Sequence, residues 1–273
     1  MDKRCAILGA GNIGLAIARG LVNSGTLKPE QITLTRRKFH LLQPEQQFGY
    51  HTEQSNVTAV QTAELIIIAV EPGQIDPLLH EIRSALNVKK HVLISVISGV
   101  SVAEIRKQIA KPVPVIRAMP NTAIAIRESM TCLAADEKDS SHLAIAVRLF
   151  EAVGQVLVID EEEMIAATSL GACGIAFFLR AIRAASQGGI EIGFHSEAAL
   201  AIAAQTARGA ASLLLSRENH PEKEIDKVTT PRGCTISGLN QMEHEGFSSA
   251  MIKGIITSAE KASGLYRKRQ SSG

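Results

Sequence analysis

The stretch Ala6-Ile7-Leu8-Gly9-Ala10-Gly11-Asn12-Ile13-Gly14 joins a short apolar run to the start of a helical pattern. Three glycines at G-x-G-x-x-G spacing between a strand and a helix are typical of a dinucleotide-binding turn. Gly9 would make the tight turn, Gly11 would let a pyrophosphate approach the backbone, and Gly14 would allow close helix packing. The N-terminus of the helix would stabilise the anion. A glycine-rich turn without a function is the alternative.

The second apolar run ends in Thr35-Arg36-Arg37-Lys38. A site for NADH usually has an acidic side chain at this place, which accepts hydrogen bonds from the ribose 2′-hydroxyl. Cations instead suit a 2′-phosphate, which arginine can bind through two hydrogen bonds. We therefore expect NADPH as the cofactor, with Arg36 and Arg37 on its phosphate and NADH less favoured. A solvated surface charge run is the alternative.

Up to residue 158, short apolar runs alternate with helical patterns. This alternation predicts a mostly parallel, doubly wound sheet that is covered on both faces. The rest of the chain consists of long alanine-rich stretches, which predict helices. The predicted fold class is therefore α/β: an N-terminal Rossmann-like domain over residues 1–158, followed by an all-helical dimerisation domain over residues 159–273. Within the second domain, Ala198–Ala204 is apolar nearly all round and should be buried on every side, against another subunit where the chain itself offers no cover.

Individual elements follow from the same patterns. The predicted strands are Arg4–Leu8, Ile32–Thr35, Leu65–Val70, His91–Ile97, Val113–Arg117, Met130–Ala134 and Val156–Ile159. The predicted helices are Ile13–Val22, Pro77–Leu86, Val102–Ile109, His142–Val153, Glu161–Leu170, Ala176–Gln187, Ser196–Leu215 and Ser248–Tyr266.

Composition limits the possible partners. A net charge of +2 over 273 residues creates no field that would gather nucleic acid or an anionic membrane, so we expect a small-molecule substrate instead. The contiguous apolar run Leu65–Val70 is far shorter than the roughly 20 residues that span a bilayer, and the first residues do not resemble a signal peptide. The four cysteines are widely separated, which favours reduced thiols in the cytoplasm and predicts no metal site.

Three further segments carry a family resemblance. Val115-Ile116-Arg117-Ala118-Met119-Pro120-Asn121-Thr122 is similar to the R-x-M-P-N-T stretch of the 1-pyrroline-5-carboxylate reductase family. Thr229-Thr230-Pro231-Arg232-Gly233-Cys234-Thr235-Ile236-Ser237-Gly238-Leu239 resembles the family's S-P-G-G-T-T-I-x-G-L loop and is the most specific match. Residues 188–193 and 205–211 resemble its dimer-forming helices.

The resemblance implies an activity, an assembly and a set of residues. Hydride transfer from NADPH to a cyclic imine that carries a carboxylate would give L-proline, the last step of proline biosynthesis, in a homodimer or a ring of dimers. The implied catalytic residues are Thr235 and Glu218. The implied substrate-binding residues are Ala172, Cys173, Gly174, Ile175, Gly233, Cys234 and Thr235. Beyond the glycine turn and the two arginines, the implied cofactor-binding residues are Ala69, Val70, Pro72, Met119 and Asn121.

Several departures from the family pattern keep alternatives open. The turn at 171–176 lacks the family's proline and serines, Glu71 replaces a lysine, and Arg232 replaces a glycine. These changes leave a non-catalytic NADPH-binding regulator, or a reductase of a related cyclic imine, as alternatives. A 3-hydroxy acid dehydrogenase would normally place a lysine in the second domain, but residues 171–215 contain none. For Glu218, an ordinary carboxylate at a helix end is the alternative.

Overall fold

A computed structural model describes residues 3–217 and 220–265 of the chain. These residues divide into two compact units: one runs to Cys173 and resumes at Ser258, and the other comprises Gly174–Thr257. The first unit extends past residue 158 because Met164 and Ala172 pack against Met119 of the sheet.

The first unit is built on a single eight-stranded sheet. Its strands are β1 Cys5–Leu8, β2 Ile32–Thr35, β3 His51–Glu53, β4 Leu65–Ile68, β5 Val92–Ser95, β6 Val115–Met119, β7 Ser129–Ala135 and β8 Gly154–Val158. They lie in the order β3-β2-β1-β4-β5-β6-β7-β8, and all neighbours are parallel except β6 and β7. The strand order reverses between β1 and β4, which is where open α/β sheets bind their ligands.

Twelve α-helices occupy the described residues. They are α1 Asn12–Asn23, α2 Gln43–Gln46, α3 Asn56–Thr62, α4 Ile75–Ile82, α5 Val102–Ile109, α6 Ser140–Glu151, α7 Met164–Ala167, α8 Gly174–Glu191, α9 Ser196–Arg217, α10 Pro221–Lys227, α11 Cys234–His244 and α12 Phe247–Ser263. A π-helical segment, Thr168–Cys173, joins α7 to α8.

Both faces of the sheet are covered, as the apolar runs predict. Side chains alternate across a strand, so Ile7 and Leu8 enter two separate hydrophobic clusters. Ile17 of α1 packs in the cluster of Ile7, whereas Leu79 of α4 and Ile105 of α5 pack in that of Leu8. The predicted doubly wound α/β fold with a helical second part is therefore confirmed.

Some strands and helices were not predicted from the sequence. Strand β3 has only three residues and little burial, so it shows no apolar alternation. Helix α3 is short and begins after Ser55, whose hydroxyl accepts a hydrogen bond from the backbone N–H of Thr58. Helix α10 was not predicted, and α11 begins within the segment that resembles the family's loop.

The second unit leaves most of its apolar surface exposed. Among its described residues only Gly174, Ser186 and Ala199 are buried. Within Ala198–Ala204 only Ala199 is buried in the single chain, and the other residues are exposed or half-buried. Burial of this segment against another subunit stays a prediction.

Two helical stretches, Glu161–Glu191 and Ser196–Ser216, are long and apolar enough to span a membrane by length and composition. The sequence estimate missed them because it counted uninterrupted apolar runs only. An apolar helical surface of this kind is also typical of a permanent interface between subunits.

Candidate functional site

The glycine-rich turn after β1 has the tight geometry that its spacing predicts. Gly9 has a φ of +99°, and a Cβ added to it would lie 2.7 Å from Cγ1 of Val70. The N–H groups of Gly9 and Ala10 both donate to the carbonyl of Thr35, at 3.1 and 2.8 Å. Only glycine fits this position, because any side chain would collide with the segment after β4.

The N-terminus of α1 is open. A Cβ added to Gly11, the N-cap residue, would meet no described atom within 4 Å, whereas one on Gly14 would lie 2.6 Å from the carbonyl oxygen of Gly9. Among the described side chains none caps this helix, and its first turn holds no acidic residue. The N–H groups of Asn12 and Ile13 therefore lie where a helix binds anions. These residues fit the pyrophosphate of a dinucleotide.

The end of β2 supplies positive charge. Arg36 is half-buried, Arg37 is exposed, and neither takes part in an ion pair between described residues. The hydroxyl of the buried Thr35 donates to Oδ1 of Asn56 at 2.7 Å. Two guanidinium groups are thus available beside the strand end, while the polar groups next to them are already paired.

The end of β4 forms the opposite wall of the turn. The N–H of Ala69 donates to the carbonyl of Leu8 at 2.8 Å, and the side chain of Val70 packs against Gly9. Pro72 begins a short 3-10 turn whose preceding residue, Glu71, is exposed. The carboxylate that stands in place of the family's lysine therefore reaches solvent at this edge.

The segment after β6 is held by a network of polar contacts. Met119 is buried with Ala172 of the π-helical segment. The side chain of Asn121 accepts from the N–H of Ala123 at 3.0 Å and donates to the carbonyl of Gly171 at 3.3 Å. Its backbone N–H donates to the hydroxyl of Ser129 at 3.1 Å. The polar side chain of Asn121 is thus directed at protein groups on both sides.

Arg117 is a buried cation with one acidic partner. Its Nη1 lies 3.3 Å from Oε1 of Glu161, and the same oxygen accepts from the N–H of Val102 at 2.7 Å, at the N-terminus of α5. Burial lowers the pKa of Arg117, and the charge of Glu161 opposes that shift. The pair joins the sheet, α5 and the segment that leads to α7.

The interpretation of residues 171–176 as a turn is wrong. Ala172 and Cys173 end the π-helical segment, and Gly174 and Ile175 begin α8. Backbone N–H groups inside a helix pair with carbonyls of the same helix, which leaves few donors for a carboxylate. π-Helical segments are nevertheless frequent at functional sites. Substrate binding by these four residues stays a prediction.

In the second unit, the segment interpreted as a loop contains a helix N-terminus. Gly233 is the N-cap of α11, and no side chain among the described residues caps it. A Cβ on Gly233 would lie 2.5 Å from Oγ1 of Thr230, so glycine is required. Cys234 and Thr235 form the first helical turn, where backbone N–H groups lack carbonyl partners within the helix. This geometry suits a carboxylate.

The remaining sequence predictions concern Glu218, a metal site and the cysteines. Glu218 lies outside the described residues. Within 3–217 and 220–265, no three His, Cys, Asp or Glu side chains are grouped so as to hold a metal ion. All four cysteines are free thiols, and burial raises the pKa of Cys5 to about 12. Such a thiol is inert at neutral pH.

Several residues at the same edge of the sheet were not predicted. The hydroxyl of Ser98 lies 4.0 Å from Sδ of Met119, and Asn56 pairs with Thr35. Ser98 follows β5, so the rule that ligands bind beyond the carboxyl ends of parallel strands would have indicated it. Glu161 gave no comparable signal, because its contact with Arg117 joins residues far apart in sequence.

Comparisons with protein families and curated proteins agree along the chain. Residues 161–265 match the family described as pyrroline-5-carboxylate reductase dimerisation, and residues 4–99 match that described as NADP oxidoreductase coenzyme F420-dependent. Pyrroline-5-carboxylate reductase 2 of Dictyostelium discoideum is 47% identical over 96% of this chain and 93% of its own length. Pyrroline-5-carboxylate reductase 1 of the same organism is 52% identical over 98% of this chain, which spans only 51% of that relative.

Solved structures share the fold. A pyrroline-5-carboxylate reductase from Coxiella burnetii has a TM-score of 0.85 at 28% identity, covering 97% of this chain and 99% of its own. Pyrroline carboxylate reductase of Plasmodium falciparum, solved with NADP bound, also has a TM-score of 0.85, at 20% identity, covering 97% of this chain and 98% of its own.

Proposed function

The chain belongs to the pyrroline-5-carboxylate reductase family, and we propose that it reduces 1-pyrroline-5-carboxylate to L-proline with NADPH. When bound, the cofactor supplies the hydride that forms the new C–H bond, while the C=N electron pair moves to a nitrogen that takes up a proton. The observation that carries the proposal is the open, uncapped N-terminus of α1 beside the tight turn at Gly9.

The residues at the carboxyl edge of the sheet would bind the cofactor. The N–H groups of residues 10–14 would hold the pyrophosphate at the N-terminus of α1. Ala69, Val70 and Pro72 would line the opposite side of the turn, and Met119 would close the nicotinamide end. These groups orient the cofactor and exclude water, so that little rotational freedom remains to be lost during the reaction.

The N-terminus of α11 would anchor the substrate carboxylate. The N–H groups of Cys234 and Thr235 have no partners inside the helix, and the glycine at 233 allows an anion to approach them. The hydroxyl of Thr235 adds one side-chain donor. Glu218 would hold the protonated imine nitrogen by its charge, and Ala172–Ile175 would contact the ring. In this scheme the carboxylate anchor belongs to the second unit and the cofactor site to the first.

A preference for NADPH over NADH would come from Arg36 and Arg37. Both guanidinium groups are free of ion pairs with described residues at the end of β2, so they can bind a 2′-phosphate without losing another partner. Replacing both by alanine should raise the KM for NADPH much more than that for NADH, since losing a charge-assisted contact costs roughly 1–3 kcal/mol. An equal rise for both cofactors would contradict this assignment.

We further propose a cytoplasmic homodimer formed through the helices of the second unit. The family model for dimerisation spans residues 161–265, which include both long apolar helical stretches. A second copy would cover their exposed side chains, and free thiols such as Cys234 suit a reducing compartment. A ring of dimers is the larger assembly, and light scattering distinguishes it from a dimer by mass.

The proposed activity is tested by mixing purified protein with NADPH and 1-pyrroline-5-carboxylate and following nicotinamide absorbance and proline formation. We expect loss of absorbance with one proline formed for each NADPH oxidised. A flat trace in which NADPH still binds would instead support a regulator. Faster reduction of a six-membered cyclic imine would show that a related ring is the substrate.

A further inference from the structure

The amide of Asn121 connects the end of β6 to the π-helical segment. Its Oδ1 accepts from Ala123 at 3.0 Å, and its Nδ2 donates to the carbonyl of Gly171 at 3.3 Å. The orientation of this amide is unambiguous, because a backbone N–H can only donate and a carbonyl can only accept. One short side chain therefore links two segments that are 50 residues apart in sequence.

Both ends of this connection lie beside residues that the proposed reaction needs. On one side, the buried Met119 is two residues from Asn121 in the chain. On the other side, Gly171 precedes Ala172, which packs in the same hydrophobic cluster as Met119. The backbone N–H of Asn121 is hydrogen-bonded to the hydroxyl of Ser129, so the side-chain amide extends from a fixed backbone position.

The amide of Asn121 is also engaged on both sides by the protein. Oδ1 uses one of its two lone pairs and Nδ2 one of its two hydrogens in these bonds. Losing either bond would cost about 1 kcal/mol. Together the two bonds fix the amide between the end of β6 and Gly171, which is the geometry of a connection between two protein segments.

We propose that Asn121 is a positioning residue for the imine: its amide fixes the π-helical segment against the end of β6, so that the substrate groups of that segment face the nicotinamide. This inference rests on the proposed function and gives Asn121 a role other than the cofactor binding that the family resemblance implies. An error of about 1 Å in such an alignment can reduce the rate a hundredfold.

Two substitutions remove the connection and keep the cap. Asn121→Asp and Asn121→Ser both retain an oxygen for the N–H of Ala123, but neither can donate to Gly171, because aspartate has only acceptors and serine is too short. We expect kcat/KM for the imine to fall at least about tenfold in both variants. The dissociation constant of NADPH, measured by fluorescence titration, should stay within about twofold.

Asn23→Asp is the matched control. The amide of Asn23 also donates to a backbone carbonyl at 3.3 Å, that of Ala125, but it does not reach the π-helical segment. Loss of this hydrogen bond should leave kcat and KM for the imine unchanged. Hydrogen exchange of residues 168–176 should accelerate in the Asn121 variants alone, which reports on the connection independently of turnover.

Three results would overturn the proposal: parental imine kinetics in both Asn121 variants, weaker NADPH binding with unchanged imine constants, or unchanged exchange over 168–176. The second of these would return Asn121 to the cofactor site. If the parent protein itself fails to reduce pyrroline-5-carboxylate, the proposed function fails. The exchange measurement then still decides whether Asn121 fixes the segment.

Discussion

Strand β4 of the first unit and helix α9 of the second are both rich in apolar residues, but they differ in burial. Every residue of Leu65–Ile68 is fully buried. In α9, by contrast, the large side chains Leu200, Ile202, Leu213 and Leu215 are all at least 40% exposed. Helices of the first unit pack on both faces of the sheet, so its apolar side chains are buried within one chain. We expect a second copy of the chain to cover the exposed apolar side chains of the helical unit.

The largest effect expected from this comparison concerns assembly. Substituting both Leu200 and Ile202 by glutamate places charges where a second copy would bury them, so we expect dimerisation to weaken by about a thousandfold or more, roughly 4 kcal/mol. Light scattering would then find monomers at micromolar concentration, and imine reduction would fall with them.

Phe48→Glu is the matched control, since Phe48 is 65% exposed but lies in the first unit. It should leave both mass and activity unchanged. A double variant that remains dimeric would break the comparison, because the exposed face of α9 would then need another explanation.

The second largest expected effect concerns the stability that the first unit gains from its own buried contacts. Glu161→Ala removes the acidic partner of the buried Arg117 and the acceptor for the N–H of Val102. An unpaired buried charge is costly, so unfolding by denaturant should require about 3 kcal/mol less free energy.

The exposed neighbour Glu162 offers the control, and Glu162→Ala should change stability by no more than about 0.5 kcal/mol. Equal effects of the two substitutions would show that the Arg117–Glu161 pair contributes little to the free energy of unfolding. The segment before α7 would then be fixed by the packing of strands and helices alone.

A third prediction separates the chemistry of the two units. Thr235→Ala should lower kcat/KM for the imine by about ten- to a hundredfold, equivalent to roughly 1.4–2.7 kcal/mol, while Thr235→Ser should retain much of it. NADPH affinity, measured by fluorescence titration, should hardly change, because the nucleotide is assigned to the first unit. Weaker NADPH binding with an unchanged imine constant would reverse the assignment.

The sequence was sufficient where one residue type satisfies a local requirement. Gly9 at φ +99° and the uncapped N-terminus of α1 follow from the glycine spacing alone. The burial of both Ile7 and Leu8, in clusters on opposite faces of the sheet, follows from a continuous apolar run in a parallel sheet. These features depend on neighbours in the chain or on the pleat of a strand.

Features that depend on distant residues were not predictable. The π-helical segment is only six residues long, so its hydrogen-bond spacing gives no periodic signal in the sequence. The contacts Arg117–Glu161 and Asn121–Gly171 each cross more than 40 residues of sequence. The helix at Cys234–His244 was not predicted because residues 229–239 were interpreted through their resemblance to the family's loop.

The smallest expected effect concerns backbone strain in the second unit. Arg232 has a φ of +61°, in the left-handed region that disfavours residues with a Cβ. This conformation explains why glycine is the usual residue in the family's loop. Arg232→Gly should therefore stabilise the protein by about 0.5–1 kcal/mol, the strain relieved being partly offset by the greater entropy of glycine in the unfolded chain. Denaturant unfolding at fixed protein concentration measures the difference.

Arg232→Ala separates the strain from the charge, because alanine retains the Cβ and loses the guanidinium. If Arg232 also attracts the substrate carboxylate to the N-terminus of α11, both variants should raise the KM for the imine to the same extent, since both lack the charge. Stability should nevertheless rise in the glycine variant alone. A glycine variant less stable than the parent would mean that contacts of the Arg232 side chain outweigh its backbone strain. In that case the side chain of Arg232 would stabilise the helical unit by more than its strained backbone destabilises it.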